Sequence, residues 1–127
     1  MSFDQLLAHH PQSKSFWEAT ARDELLLPTC TDCHRAHWYP RPFCPLCGGV
    51  NIHWKRASGK GRIHSASFMR RAPEPYIVIT VELEEGPILL SNLVDAPLDQ
   101  PALDSPVHVV FREIGDGRMM PMFAPEG

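Results

Sequence analysis

Four cysteines in two close pairs constrain the fold of this chain more than any other feature. Two residues separate Cys30 from Cys33, ten residues follow, and Cys44 and Cys47 repeat the first spacing. Such a gap lets a tight turn present both sulfur atoms to one ion, and two turns complete a tetrahedron. Because four thiolates leave no open coordination position, the spacing predicts a structural zinc site. Iron is the rival metal, and two metal-free thiol pairs are the remaining alternative.

The residue after each pair bears on the geometry of the turn. Gly48 follows the second pair, where a positive φ lets backbone amides point at sulfur. His34 holds the equivalent place after the first pair and tolerates a positive φ less well, so a slightly strained first turn is expected. His34 and His37 are alternative ligands, but four cysteines already fill the site.

Composition places the chain among folded proteins of a reducing compartment. The 127 residues are 43% hydrophobic, which suffices for one core or for a small domain with an appendage. No apolar run approaches the roughly 20 residues that cross a bilayer. The N-terminus lacks a basic segment followed by an apolar one, so we expect a cytoplasmic protein. Reducing conditions there favour a metal over disulfides.

Charge is distributed unevenly along the chain. The net charge of −3 combines −3 over residues 1–32, +8 over residues 33–73 and −8 over residues 74–127. The middle stretch contains no acidic residue, which predicts an anionic partner such as a phosphate group, a nucleic acid or an acidic protein face. The alternative is an ordinary solvated surface whose bases pair with acids elsewhere in the fold.

Local patterns predict helices first and strands afterwards. Capping-box spacings at Ser2 and Ser15 each predict a short helix, the second running to about Asp23. An extended segment over residues 25–27 is expected to stop at Pro28, and a strand over residues 50–56 leaves the cysteine module. Period-two alternation then predicts five short antiparallel strands, over residues 62–69, 76–84, 88–94, 107–114 and 118–124.

These elements predict a mostly β protein in three parts. Residues 1–28 are an N-terminal helical segment, residues 29–58 a rubredoxin-like zinc ribbon, and residues 59–127 a five-stranded antiparallel barrel. We expect the barrel to have the oligonucleotide/oligosaccharide-binding (OB) fold, with an SH3-like barrel as the main rival.

Several motifs together resemble one known family. They are Cys30-x-x-Cys33-His34, Trp38-Tyr39-Pro40-Arg41-Pro42, Cys44-Pro45-x-Cys47-Gly48, Trp54, Ala57-Ser58-Gly59-Lys60-Gly61, Pro75-Tyr76, Val81-Glu82-Leu83-Glu84-Glu85-Gly86 and Pro121-Met122-Phe123. From about Phe16 to Phe123 the chain is similar to the domain-of-unknown-function 35 family, which joins an N-terminal helical segment, a rubredoxin-like zinc ribbon and an OB fold. His34 replaces the glycine usual in that family, and Asp104-Ser105-Pro106 replaces a glycine-containing turn.

The resemblance implies an accessory subunit rather than an enzyme. Members resemble partners of thiolase-superfamily enzymes, and sometimes of hot-dog-fold hydratases, and some are thought to hold the CoA portion of a substrate. A hetero-oligomer is therefore expected, or a homodimer when the chain is isolated, with no membrane association. Candidate contacts to CoA or another anion are Lys55, Arg56, Lys60, Arg62, Arg70 and Arg71. Phe3, Phe16 and Trp17 are candidate partner contacts, with ordinary core packing as the alternative.

A nucleic-acid-binding protein and a free-standing enzyme are the two alternative classes of function. OB barrels and zinc ribbons also bind single-stranded nucleic acid, with Phe68 or Tyr76 available to stack on bases, but an acidic C-terminal half would repel phosphates. A free-standing enzyme is disfavoured because the metal occupies all four thiols. No serine or aspartate motif accompanies the scattered His53, His64 and His108, so no catalytic residue is predicted.

Overall fold

The computed structural model describes residues 5, 8–98, 101–115 and 117–126. They form a mostly β protein with a short α-helix, a two-stranded ribbon and a closed five-stranded barrel, as predicted. The chain divides into two compact units. The ribbon unit is Met1–Ala57 with Phe111–Met120, and the barrel unit is Ser58–Val110 with Pro121–Gly127. The division into three parts at residues 28 and 58 stays a prediction.

The helix before the ribbon, α1, spans Lys14–Thr20 and follows a 3-10 turn over Pro11–Ser13. The predicted start at Ser15 is wrong by one residue, and no side chain caps the helix. The physical reason is that the 3-10 turn runs directly into α1, with the Lys14 N–H bonded to the Pro11 carbonyl. The other predicted helix, with Phe3, falls largely outside the described residues.

The ribbon consists of β1, Leu26–Cys30, paired antiparallel with β2, Ile52–Arg56. The prediction that Pro28 ends the first strand is wrong, because β1 continues through it with Pro28 opposite Trp54. A two-stranded ribbon has only edge strands, where the missing proline N–H is tolerated. The Pro28 carbonyl still accepts a hydrogen bond from the His37 N–H at 3.0 Å.

The barrel has the strand order β3-β4-β5-β7-β6. Its strands are β3 (Lys60–Met69), β4 (Tyr76–Leu83), β5 (Ile88–Leu93), β6 (Pro106–Glu113) and β7 (Met119–Pro125). The barrel is not wholly antiparallel as predicted, since β5 pairs with β7 in parallel, with Leu93 opposite Phe123. Alternation in a sequence shows which face of a strand is buried, but it does not show which strand lies beside it.

Inward-facing apolar side chains fill the barrel unit. On β4 the buried residues alternate with less buried ones, as predicted. The β3 register shifts between Ile63 and Ser65, so a bulge changes which residues of β3 face inward. The buried apolar side chains of this unit include Ile63, Ile77, Ile79, Val81, Leu83, Leu89, Leu93, Val107 and Phe123.

Within the described residues, no helix is both long and apolar enough to cross a lipid bilayer.

Candidate metal centre and basic surface

The four cysteine sulfur atoms converge on one point of the ribbon unit. All four Sγ atoms lie within 4.8 Å of one another. The Sγ atoms of Cys30 and Cys47 are 3.6 Å apart, and those of Cys33 and Cys44 are 3.7 Å apart. A tetrahedral zinc site with Zn–S bonds of about 2.3 Å has S–S edges of about 3.8 Å. The donor set therefore fits a closed four-thiolate structural metal site.

Two turns of the same design hold these sulfur atoms. In each turn the N–H four residues after the first cysteine bonds to that cysteine's carbonyl: His34 to Cys30 at 2.9 Å and Gly48 to Cys44 at 2.8 Å. Each turn is also closed by the first cysteine's own N–H, which donates to the carbonyl five residues later. The repeated spacing in the sequence thus becomes a repeated backbone structure.

The residue after each pair has the left-handed conformation that the sequence predicted. The φ angle is +61° at His34 and +82° at Gly48. Backbone amides of the second turn point toward sulfur. The Leu46 N–H donates to Cys44 Sγ and the Gly49 N–H donates to Cys47 Sγ, both at 3.4 Å. Such N–H donors stabilise thiolate ligands.

Cys33 and Cys47 are the second cysteines of the two pairs, and their pKa values show why this sulfur cluster suits a cation. The backbone N–H of Arg35 lowers the pKa of Cys33 to about 6. The Gly49 N–H also lowers the pKa of Cys47, but the neighbouring sulfur atoms and burial outweigh it and raise that pKa to about 12. One thiol of the cluster therefore ionises easily while another holds its proton. A divalent cation at the centre removes this conflict by stabilising every thiolate.

Polar contacts join the first turn to the chain that leaves the second. The Thr31 N–H and hydroxyl both donate to the Asn51 carbonyl, at 2.9 and 3.1 Å. The Asn51 side-chain amide lies 3.4 Å from Asp32 Oδ1. These bonds hold the two cysteine turns together from outside the sulfur cluster.

The two histidines near the site are not part of the sulfur cluster, since the metal-ligand cluster found among the described residues contains cysteines alone. His34 is exposed, whereas His37 is buried and only 4% accessible. Burial, followed by the charge of Arg41, lowers the pKa of His37. No pattern in the sequence predicted that His37 would be buried.

The six predicted anion contacts are all exposed, but their surroundings differ. Lys55 and Arg56 lie at the end of β2 in the ribbon unit. In the barrel unit, a groove of about 320 Å³ includes Lys60 and Arg62. Three carboxylates line the same groove, from Glu82, Glu84 and Glu126. The electrostatic field there is mixed rather than purely positive.

Arg70 has a different environment from Lys60 and Arg62. Its guanidinium carbon lies 5.2 Å from the centroid of the Phe68 ring. These two residues line a second, smaller groove of about 240 Å³ with Ala66 and Pro101. Among the described residues, no carboxylate lines this groove. Arg71 follows in the exposed turn after β3.

Acidic side chains beside Ser58 have structural contacts. Glu84 Oε2 accepts a hydrogen bond from the Ser58 hydroxyl at 2.7 Å, and Glu85 Oε2 accepts one from the Ser58 N–H at 2.8 Å. These two carboxylates therefore fix the chain where it enters β3.

The two described partner-contact candidates, Phe16 and Trp17, have different environments. Phe16 is 5% exposed, and its ring centroid lies 5.0 Å from those of both Trp17 and Trp38. Trp17 is half-buried, with the Arg118 guanidinium carbon 5.5 Å from its ring centroid. Phe3 lies outside the described residues. Phe16 thus packs in the core of the ribbon unit, which was the alternative to a partner contact.

Comparisons with known proteins agree with this architecture. One family model, described as the ChsH2 rubredoxin-like zinc ribbon domain, matches residues 17–51. A second, described as the ChsH2 C-terminal OB-fold domain, matches residues 54–112.

Three relatives match between 65% and 90% of this chain. A DUF35 domain-containing scaffold protein of Methanothermobacter thermautotrophicus is 35% identical over 92 residues, covering 67% of this chain and 69% of the relative. A scaffold protein of the same description from Pyrococcus furiosus is 36% identical, and the match covers 65% of this chain and 66% of that protein. A probable enoyl-CoA hydratase alpha subunit of Thermomonospora curvata is 31% identical over 90% of this chain, which spans only 38% of that longer protein.

A solved structure named "Ltp2-ChsH2(DUF35) aldolase" superposes with a TM-score of 0.81 at 30% identity. The match covers 89% of this chain and 93% of the solved chain. A Sulfolobus solfataricus protein of the DUF35 family, 10% identical with a TM-score of 0.68, shares the fold. By its sequence and its two matched domains, this chain belongs to the DUF35 family.

Proposed function

We propose that this chain is a non-catalytic accessory subunit of a thiolase-superfamily or related acyl-CoA enzyme, and that it contacts the CoA portion of the substrate. The observation that carries the proposal is the pairing of a closed four-cysteine ribbon with an OB barrel. Relatives with the same pairing are named scaffold proteins, and one solved relative is named with an aldolase. One relative named as a hydratase subunit links the pairing to acyl-CoA chemistry.

The metal in this proposal is zinc, held by Cys30, Cys33, Cys44 and Cys47. Four thiolates suit zinc and iron alike, but zinc has no redox chemistry and is the common occupant of structural four-cysteine sites. A bound zinc ion would supply cross-linking free energy to a small ribbon whose apolar core is limited. Its role would be to hold the ribbon rather than to react.

The contacts of the polar side chains support a subunit without catalytic activity. The four thiols point at one another, and Glu84 and Glu85 accept hydrogen bonds from Ser58. Neither arrangement leaves an activated nucleophile beside a general base. The reaction would therefore belong to the partner enzyme.

The CoA contact assigns the diphosphate and 3′-phosphate to the exposed bases. Arg70 is the best placed of these, since no carboxylate among the described residues lines its groove. Lys60 and Arg62 share their groove with three glutamates and would contribute less. Lys55, Arg56 and Arg71 complete the proposed set.

Co-expression tests the proposal directly. The chain is produced alone and together with a thiolase-like or hydratase-like acyl-CoA enzyme of its own organism, and complexes are separated by size exclusion with light scattering. We expect a stable hetero-oligomer, zinc at one ion per chain by elemental analysis, and heat of CoA binding in calorimetry. A wild-type chain that stays monomeric beside these enzymes and gives no heat with CoA contradicts the proposal.

Variants of the site then separate metal from surface. Cys44→Ser removes one ligand and should lose both the metal and the complex, because the ribbon no longer folds. Val50→Ser, an exposed position in the same segment, is the matched control and should keep both. A Cys44→Ser chain that lacks metal but still forms the complex would separate the ribbon from partner binding.

A further inference from the structure

The outside of three barrel strands forms an uncharged, partly apolar surface. We call it the outer meander face, meaning the outward side chains of residues 65–69, 76–80 and 90–92. Leu90 is 72% exposed, Tyr76 43% and Met69 41%. The register places these side chains in three rows: Ser65 beside Thr80 and Leu90, Ser67 beside Val78 and Asn92, and Met69 beside Tyr76. No aspartate, glutamate, lysine or arginine lies in these rows.

Three polar side chains on this face, Ser65, Thr80 and Asn92, already have partners within the sheet. The Ser65 and Thr80 hydroxyls bond to each other at 2.6 Å. The Asn92 side-chain amide donates to the Ile77 carbonyl at 3.2 Å. Each of these bonds satisfies one donor within the sheet, which lowers the cost of covering the polar atoms with an apolar surface. The face therefore suits a dry, uncharged contact.

The same face is poorly suited to nucleic acid. OB barrels commonly bind oligonucleotides on the face of their second and third strands, which are β4 and β5 here. Affinity for nucleic acid depends on lysine and arginine contacts to phosphate. The rows contain neither, and Tyr76 is their one aromatic residue. Depletion of charge with retained apolar groups is instead typical of the centre of a protein–protein interface.

The size of the face indicates what kind of protein covers it. Strand spacing of about 4.8 Å and a rise of about 3.3 Å per residue give segments of five, five and three residues a combined area of roughly 210 Å². A stable protein interface needs about 800 Å² on each partner. Two barrels packed through this face alone would fall well short, so the face fits the centre of a larger interface with a larger partner.

We infer that the outer meander face is the surface on which the partner acyl-CoA enzyme docks, through an apolar, uncharged patch of that enzyme, with Leu90 as the most exposed apolar side chain of the contact. This inference rests on the proposed function, and it adds which surface of the accessory subunit makes the complex. A second copy of the chain and a single-stranded nucleic acid are the competing occupants.

The test compares Leu90→Glu with a matched control. Leu103→Glu introduces the same charge at a 63% exposed leucine that lies outside the face, in the loop before β6. Each chain is co-expressed with the acyl-CoA enzyme, and complex formation is measured by size exclusion and by calorimetric titration of the purified partners. Thermal unfolding of each chain alone checks that both variants fold. We expect Leu90→Glu to weaken the complex at least about tenfold, and Leu103→Glu to leave it unchanged.

Outcomes for the inference and for the proposed function differ. If the wild-type complex forms and folded Leu90→Glu binds as well as wild type, the inference fails while the proposed function stands. If wild type forms no complex with the enzyme, the proposed function fails, and the inference fails with it. A wild-type homodimer that Leu90→Glu turns into a monomer, or oligonucleotide binding that Leu90→Glu abolishes, would assign the face to a different occupant and overturn the inference.

Discussion

His37 is a buried residue whose two ring nitrogens have no hydrogen-bond partner within the described part of the chain. Its backbone N–H is bonded to Pro28, which fixes the residue against β1. Burial and the nearby Arg41 charge lower the pKa of His37, so the folded protein holds the ring neutral. The unfolded chain has an ordinary histidine pKa of about 6.5 and binds a proton more readily.

This difference predicts acid sensitivity of the ribbon unit. Below about pH 6.5 the unfolded state gains a proton that the folded state resists, so stability is present above that pH and falls as pH drops. Between pH 7.5 and 5.5, wild type should lose on the order of 1 kcal/mol more unfolding free energy than His37→Leu. Urea titrations at fixed zinc concentration measure this. His53→Leu, at an exposed position on β2, is the control and should lose as much as wild type.

Sequence could predict single residues where local spacing determines their geometry. The cysteine pairs and the positive φ at His34 follow from the turn itself. Sequence could not predict the setting of Arg62, because its cross-strand neighbour Glu82 lies far away in the chain, and Glu126 joins their groove from the C-terminus. Burial of Phe16 against Trp38 is likewise a tertiary contact.

Among the elements, the two cysteine turns differ in one instructive way. Their backbone hydrogen bonds are equivalent, yet a glycine holds the positive φ in the second turn and a histidine holds it in the first. A β-carbon at Gly48 would meet no atom within 4 Å. Any cost of a side chain there is therefore conformational, with no contribution from a clash.

Gly48→Ala isolates that cost. The left-handed conformation disfavours a β-carbon by about 1 kcal/mol, so the zinc-bound variant should be less stable by about that amount. Chemical unfolding in the presence of zinc measures the difference, and competition with a chromophoric chelator measures the parallel loss of zinc affinity. Val50→Ala, exposed and two residues away, should match wild type within about 0.5 kcal/mol. Equal stability of Gly48→Ala and wild type would show that the turn relaxes.

The positions of β4 and β5 were predictable because these strands bury alternate residues. Pairing was not, since the parallel contact between β5 and β7 joins segments separated by a long loop and by β6. The extension of β1 through Pro28 was also missed. It depends on the ribbon having two strands only, which is a property of the assembled element.

At the scale of the whole molecule, the acid-free stretch does not become one uniform anion site. Residues 33–73 are distributed over both units, and their bases have different neighbours. Lys60 and Arg62 line a groove with three glutamates, whereas no carboxylate in the described part of the chain lines the groove of Arg70. The charge count along the chain predicts an anionic partner. The side chains around each base then indicate how much that base contributes to binding the anion.

That ranking predicts unequal losses of CoA affinity. Arg70→Gln removes a base whose groove is lined by no carboxylate from the described residues, and one lost charge-assisted bond to phosphate should lower CoA affinity about tenfold in calorimetry of the complex. Arg62→Gln should cost less, about threefold or below, because the groove's glutamates already offset its charge. Arg22→Gln, which breaks an exposed ion pair with Glu24 in the ribbon unit, is the control and should change nothing. A larger loss for Arg62→Gln than for Arg70→Gln would contradict this ranking, because it would place the phosphates in the glutamate-lined groove. Cationic groups of the partner enzyme would then have to neutralise those carboxylates.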